Sequence, residues 1–133
     1  MNEPLFVDTS AWYALVNRRD PEHVAVRTAL ESSRGRLVTS NLVFDEVITL
    51  CLHRLGHDIA VKVGEQLRRG KTIDLVRVSA QDEGSAWELF RDRADKHYSF
   101  TDCVSFVLMR RLNLTRAAAL DDDFAREGFV VVP

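Results

Sequence analysis

The sequence predicts an α/β protein, three layers deep, with helices on both faces of a mainly parallel sheet of about five strands. Three observations predict it. Short apolar or β-branched runs recur between longer helical stretches. The repeating order is strand, two helices, strand, which places successive strands parallel and covers the sheet on both sides. Finally, 133 residues with 46% hydrophobic content suit one globular domain, expected to span 1–133.

Leu5-Phe6-Val7 is a short apolar run ending in Asp8, the pattern of a buried strand. Thr9 to Asn17 follows as a helix with Trp12, Leu15 and Val16 on one side. Asp20 as N-cap and Pro21 at the first helical position predict a second helix to about Ser32. Gly35 then breaks the chain before a strand at Arg36-Leu37-Val38.

Leu42 to Leu55 is a strongly apolar helix stopped near Gly56. Asp58 to Arg69 is the next, with Ile59, Val63 and Leu67 four apart and Gly70 expected as the C′ residue. Ile73–Val78 reads as a β-branched strand. Ser79-x-x-Asp82 opens a helix carrying Trp87, Phe90 and Ala94, and Ser99-x-x-Asp102 repeats that capping-box signature before Val104–Leu112. Ala117–Leu120 and Phe129–Val132 are the last two strands, with a short loop or helix between them.

Connectivity alone gathers three acids. Asp8 follows the first strand and Asp121 the fourth, so both lie at the carboxyl edge, where open parallel sheets bind ligands. Asp102 is in the first turn of the helix feeding the fourth strand, and that helix must start at the same edge. Each acid also has a plainer reading: Asp8 as an N-cap, Asp102 as a capping-box acid, and Asp121-Asp122-Asp123 as a solvated turn. On the Leu42–Leu55 helix, Asp45, Glu46, Thr49 and His53 form one polar stripe, and periodicity does not choose between Asp45 and Glu46. The coincidence carries the functional argument. Two carboxylates about 4 Å apart repel by roughly 4 kcal/mol at an effective dielectric near 20, so a cluster calls for a cation. Mg²⁺ or Mn²⁺ suits oxygen ligands and leaves coordination positions for water and phosphate.

Other chemistries fare worse. His53 and His57 are four apart, but Gly56 separates them and argues against a zinc pair. No GxGxxG, P-loop, EF-hand loop or GxSxG turn is present. A phosphoaspartyl enzyme needs a second Asp where Ser10 stands, and a receiver module needs an Asp where Ser79 stands. Cys51 and Cys103 read as buried, reduced thiols, and with a longest apolar run of Ala11–Val16 and no basic leader at Met1-Asn2-Glu3-Pro4, a cytoplasmic protein without a membrane span is expected. The net charge of −2 gives no global nucleic-acid footprint.

Four ordered blocks resemble those of the PIN-domain ribonucleases, in particular the VapC-type toxins of bacterial toxin–antitoxin pairs. They are Leu5-Phe6-Val7-Asp8-Thr9-Ser10-Ala11, Thr39 to Val47, Ser99 to Phe106, and Ala119 to Phe124 followed by Gly128-Phe129. Asp123 departs from the pattern, since relatives often carry histidine before that phenylalanine. The resemblance selects Glu46 over Asp45 and Asp121 over Asp122. It implies a PIN-like fold and Mg²⁺- or Mn²⁺-dependent cleavage of RNA, with Asp8, Glu46, Asp102 and Asp121 as catalytic metal ligands. It also implies a homodimer and inhibition by a cognate antitoxin protein. Thr9 and Ser10, at a helix start, are candidates to contact substrate phosphate. Counter-charge for RNA is sought among Arg18, Arg19, Arg91, Arg93, Lys96, Arg110, Arg111 and Arg116, with Arg91 and Arg93 favoured. His97 and Tyr98, just before the Asp102 helix, are either substrate contacts or, the plainer reading, surface residues. The alternative is a PIN-fold interaction domain without catalysis, its acids serving as caps.

Overall fold

The computed structural model describes residues 3–133, so Met1 and Asn2 of the segment expected to lack a leader lie outside the described residues. Its elements run β1 (Leu5–Val7), α1 (Thr9–Val16), α2 (His23–Ser32), β2 (Leu37–Ser40), α3 (Asn41–Leu55), α4 (His57–Arg69), β3 (Ile73–Val76), α5 (Ala80–Asp92), α6 (Phe100–Arg111), β4 (Arg116–Ala118), α7 (Asp123–Arg126) and β5 (Val130–Val132). This is the expected order of strands and helices. The five strands form one sheet in the order β3-β2-β1-β4-β5, every pair parallel. The chain builds outward from β1 to β3, then returns to the other flank of β1 for β4 and β5. The order therefore reverses beside β1, and the crevice between the carboxyl ends of β1 and β4 is a switch point of the kind that binds ligands.

Several expected boundaries shift by a residue or two, and three of the differences have a clear local cause. Helix α2 starts at His23, two residues later than Pro21 suggests. Asp20 caps a separate turn instead: its Oδ1 accepts the Glu22 N–H at 2.8 Å and its carbonyl accepts the His23 N–H at 3.0 Å. Strand β3 ends at Val76 because the Val78 N–H leaves the ladder and donates to Asn41 Oδ1 at 2.8 Å. Gly70 is not left-handed, with φ −60°. Glycine is needed there for space, since a Cβ would stand 2.8 Å from the Gln66 carbonyl oxygen and 2.9 Å from Ile73 Cδ1. Gly56, by contrast, has φ +96° and does end α3.

The core seats α6 and α7 on the sheet. Phe106 meets Phe124 edge-on at 4.9 Å and Tyr98 at 5.0 Å, while Phe6 of β1 lies 6.2 Å from Phe124. Phe6, Phe106 and Phe124 are fully buried, each stabilising by roughly 2–3 kcal/mol. The packing fixes the start of α6, and with it Asp102, against the end of β1. Cys51 and Cys103 are buried free thiols, and no helix among the described residues is long and apolar enough to cross a membrane.

Candidate active site

Asp8 continues the sheet through its backbone and then opens a helix. Its N–H donates to the Ala118 carbonyl of β4 at 3.0 Å, and its own carbonyl accepts the Trp12 N–H at 3.0 Å. Trp12 Nε1 donates to Thr39 Oγ1, which donates in turn to the Val7 carbonyl, so α1, β2 and β1 are laced together one residue before the acid. The Asp8 side chain occupies the N-cap position without making the cap hydrogen bond. The plain capping role is thereby set aside.

Asp8 is only 5% exposed, and its carboxyl is pushed up to about 7. Burial is the main cause, followed by the negative charges of Asp102 and then Asp121. The Thr9 backbone and the Ser10 hydroxyl, 3.2 Å from Oδ2, offset part of it. Asp102 is pushed up to about 6, first by burial and then by Asp121 and Asp123, against the lowering effect of Ser99. Its Oδ2 also accepts the Ser99 N–H at 3.0 Å, completing a capping box. Cap and candidate ligand are therefore the same residue: one oxygen serves the helix and the other is left for the site.

Glu46 joins from α3. Thr9 Oγ1 donates to Glu46 Oε1 at 2.7 Å, tying the first helical residue after Asp8 to the acid of the second block. Asp45 is exposed, while Glu46 is half-buried and held by Thr9. Asp121 follows β4, and its Oδ1 accepts the Asp123 N–H at 3.0 Å, which shapes the acidic turn. Ser10 spans the crevice: its hydroxyl donates to Asp8 and accepts the Leu120 N–H at 3.2 Å.

Among the described residues, none of Asp8, Glu46, Asp102 and Asp121 forms an ion pair. Nor do three acid, imidazole or thiol groups among the described residues stand close enough together to hold a metal ion as they are. The donor set nonetheless fits a hard divalent ion: it offers carboxylate and hydroxyl oxygens only, and its buried members lack counter-charge.

Several of the arginines considered for RNA contact are engaged within the chain. Arg93 and Arg110 both bind Glu127, at 3.1 Å each, and Arg111 grips Asp82 at 2.8 Å. Arg91 is exposed, with Asp92 3.9 Å away. Tyr98, expected on the surface, is buried, and its hydroxyl donates to Glu127 at 3.0 Å. Glu127 is the residue that sequence reasoning missed, because nothing in its local pattern marks an acid that three distant donors will surround.

Comparison with known proteins places the chain in a family. Residues 5–130 match the family described as PIN domain. The chain belongs to the PIN domain family. Within it, the chain is 38% identical over 128 residues to the 23S rRNA-specific endonuclease VapC20 of Mycobacterium tuberculosis, covering 96% of this chain and 97% of that protein. It is 28% identical over 117 residues to Ribonuclease VapC26 of the same species, covering 88% and 86%. The crystal structure of VapC20, described as a sarcin-ricin loop cleaving toxin, superposes with a TM-score of 0.92 at 38% identity, over 97% of this chain and 99% of that one. The five-stranded PIN-like fold expected from the four blocks is the fold observed.

Proposed function

We propose that this protein is a Mg²⁺- or Mn²⁺-dependent endoribonuclease and the toxin of a toxin–antitoxin pair. The observation that carries the reading is the crevice at the switch point. There Asp8 and Asp102 are held with raised pKa values and without a cationic partner among the described residues, beside Glu46 and Asp121. An interaction domain whose acids were only caps has no use for that arrangement. The likeness to VapC20 across nearly the whole of both chains supports the same activity.

In this reading Asp8, Glu46, Asp102 and Asp121 hold the metal. When bound, the metal neutralises these acids, makes water a better nucleophile at the phosphodiester phosphorus and stabilises the charge on the leaving oxygen. Thr9 fixes the orientation of Glu46, and Ser10 keeps Asp8 in register with the turn after β4. Thr9 and Ser10, at the start of α1 next to Asp8, are the residues proposed to contact a phosphate oxygen. The partner is a small antitoxin protein that places an arginine among the acids, and the toxin is a homodimer. An antitoxin peptide that inhibits equally well after its arginines become alanine would count against the first. A monomer in sedimentation at micromolar concentration would count against the second.

The test is cleavage by purified, antitoxin-free protein. A hairpin shaped like the sarcin-ricin loop is the first substrate to try, alongside unstructured RNA, because VapC20 is named for that class. Cutting should require Mn²⁺ or Mg²⁺, stop in EDTA, and vanish in both Asp8→Asn and Asp102→Asn. Undiminished cutting by both variants would mark a contaminant and overturn the assignment.

A further inference from the structure

Helix α5 leaves its largest apolar side chain in water. Trp87 is 56% exposed and stacks on Phe90, itself 41% exposed, with ring centroids 5.8 Å apart and planes 17° from parallel. Phe90 continues this ledge into an open cleft of about 450 Å³, whose other walls include Arg91, Lys96, His97 and Tyr98. The cleft ends four residues before Asp102, so at most about 14 Å of chain separates it from a candidate metal ligand. A few nucleotides of RNA can cover that reach.

We propose that the ledge and cleft form a subsite for an unstacked base of the RNA substrate. In this subsite Trp87 and Phe90 supply the stacking face, and Arg91 and His97 meet the adjoining phosphates. The inference rests on the nuclease reading and adds to it the part of the surface that selects unpaired RNA. Two features favour RNA over a second copy of this chain. First, the apolar ledge is short along its helix: the helical neighbours of Trp87 are Glu83, Gly84, Phe90 and Arg91, of which only Phe90 is apolar and large. Second, cations rim the cleft. Arg93 and Lys96 are engaged by Glu127 and Asp95, but Arg91 keeps only the loose contact with Asp92, free to exchange it for a phosphate. Aromatic faces beside cations suit single-stranded nucleic acid, because every base presents a π-face and every linkage a charge.

The chain has two tryptophans, and Trp12 is buried, so Trp87 reports on the ledge. The experiment titrates the full chain in EDTA, where nothing is cut, with a labelled hairpin carrying an unpaired loop and with a fully paired duplex of equal length. Tryptophan emission and label anisotropy are read together, and the Asp8→Asn variant repeats the titration as a second uncut form. The hairpin should quench emission and the duplex should not. Trp87→Ala should weaken hairpin binding by about tenfold or more, and Trp87→Phe should restore most of it. Trp87 is exposed, so the alanine variant should melt like the wild type.

Hairpin binding without quenching, and with affinity unchanged in Trp87→Ala, would overturn the subsite and leave the nuclease reading standing. Absence of any RNA binding in EDTA would overturn the subsite, and the nuclease reading would then stand or fall on Mn²⁺-dependent cleavage alone. A dimer that dissociates in Trp87→Ala while RNA binding is unchanged would assign the ledge to self-association and overturn the proposal.

Discussion

Asp82 and Asp8 are both buried aspartates at helix starts, 3% and 5% exposed, and the protein treats them in opposite ways. Asp82 receives two hydrogen bonds from Arg111, at 2.8 and 2.9 Å, and completes a capping box with Ser79. Those bonds, Arg111 first, hold its carboxyl below the usual range despite burial. Glu127, whose side chain is 4% exposed, is handled likewise: burial alone would raise it, but Arg93, Arg110 and Tyr98 together bring it down. Asp8 and Asp102 receive more acid instead, and both rise. One region is neutralised from within the chain, and the other is left for something outside it. Stability and function thus occupy different acids of the same type.

Mutation should separate the two with opposite signs. Arg111→Ala strands a buried carboxylate, which costs about 3–5 kcal/mol in a sealed pair. Arg111 keeps 46% of its side chain in water, so about 2 kcal/mol is expected here. Asp8→Asn, in metal-free protein near pH 8, should instead stabilise by about 2 kcal/mol. The pKa displacement allows more, but the amide hydrogens of asparagine must find acceptors that a carboxylate does not need. Urea melts of both variants check the pair, and the contrast fails if Asp8→Asn destabilises as Arg111→Ala does.

Metal should act on one region only. Mn²⁺ at a hundred times its dissociation constant stabilises the native state by about 2.7 kcal/mol, roughly 10 °C in melting temperature for a chain of this size. Arg111→Ala should keep that rise from its lower baseline, whereas Asp8→Asn and Asp102→Asn should lose most of it. An equal rise in all three would mean that Mn²⁺ binds elsewhere.

The two regions also titrate in opposite senses. Asp8 and Asp102 have folded pKa values of about 7 and about 6, above the ordinary 3.8. Between about 4 and 7 the folded chain therefore holds protons that the unfolded chain has released, so metal-free stability should rise as pH falls from about 8 toward 5. The slope is at most about 1.4 kcal/mol per pH unit for each proton. Asp82 and Glu127 have lowered pKa values, so their contribution is present above the ordinary values of 3.8 and 4.5 and is lost as pH falls below them. A maximum near pH 4–5 in EDTA should follow. Saturating Mn²⁺ should turn the upper limb over, since protons then compete with the metal. A flat profile in EDTA between about pH 5 and 8 would show that Asp8 and Asp102 are not perturbed as described.

The contrast was half legible in the sequence. Asp8, Asp102 and Asp121 could be gathered at one edge because strand ends and helix starts are local features, and parallel connectivity does the rest. The pairing of Glu127 could not, because Arg93, Tyr98 and Arg110 lie 34, 29 and 17 residues away and share no period with it. For the same reason the arginines proposed for RNA included three that serve the neutralised region: Arg93, Arg110 and Arg111. Local signals also misled where two structures satisfy the same groups, as at Asp20, whose capping oxygen closes a turn before the helix begins.

The smallest expected effect tests the sharpest boundary between the regions. Asp45 and Glu46 are adjacent on α3 and carry the same charge, so any long-range electrostatic role would be nearly shared between them. Their surroundings differ: Asp45 points into water, while Glu46 is half-buried and bonded to Thr9 beside Asp8. Exposed charges are screened and change stability by within about 0.5 kcal/mol. Asp45→Asn should therefore leave metal-dependent cleavage and the Mn²⁺ shift within about twofold of wild type, whereas Glu46→Gln should lose both. Equal losses would show that the crevice acts on its substrate through the summed charge of the α3 surface. Loss in Glu46→Gln alone would show that it acts through oxygens held in place by their neighbours.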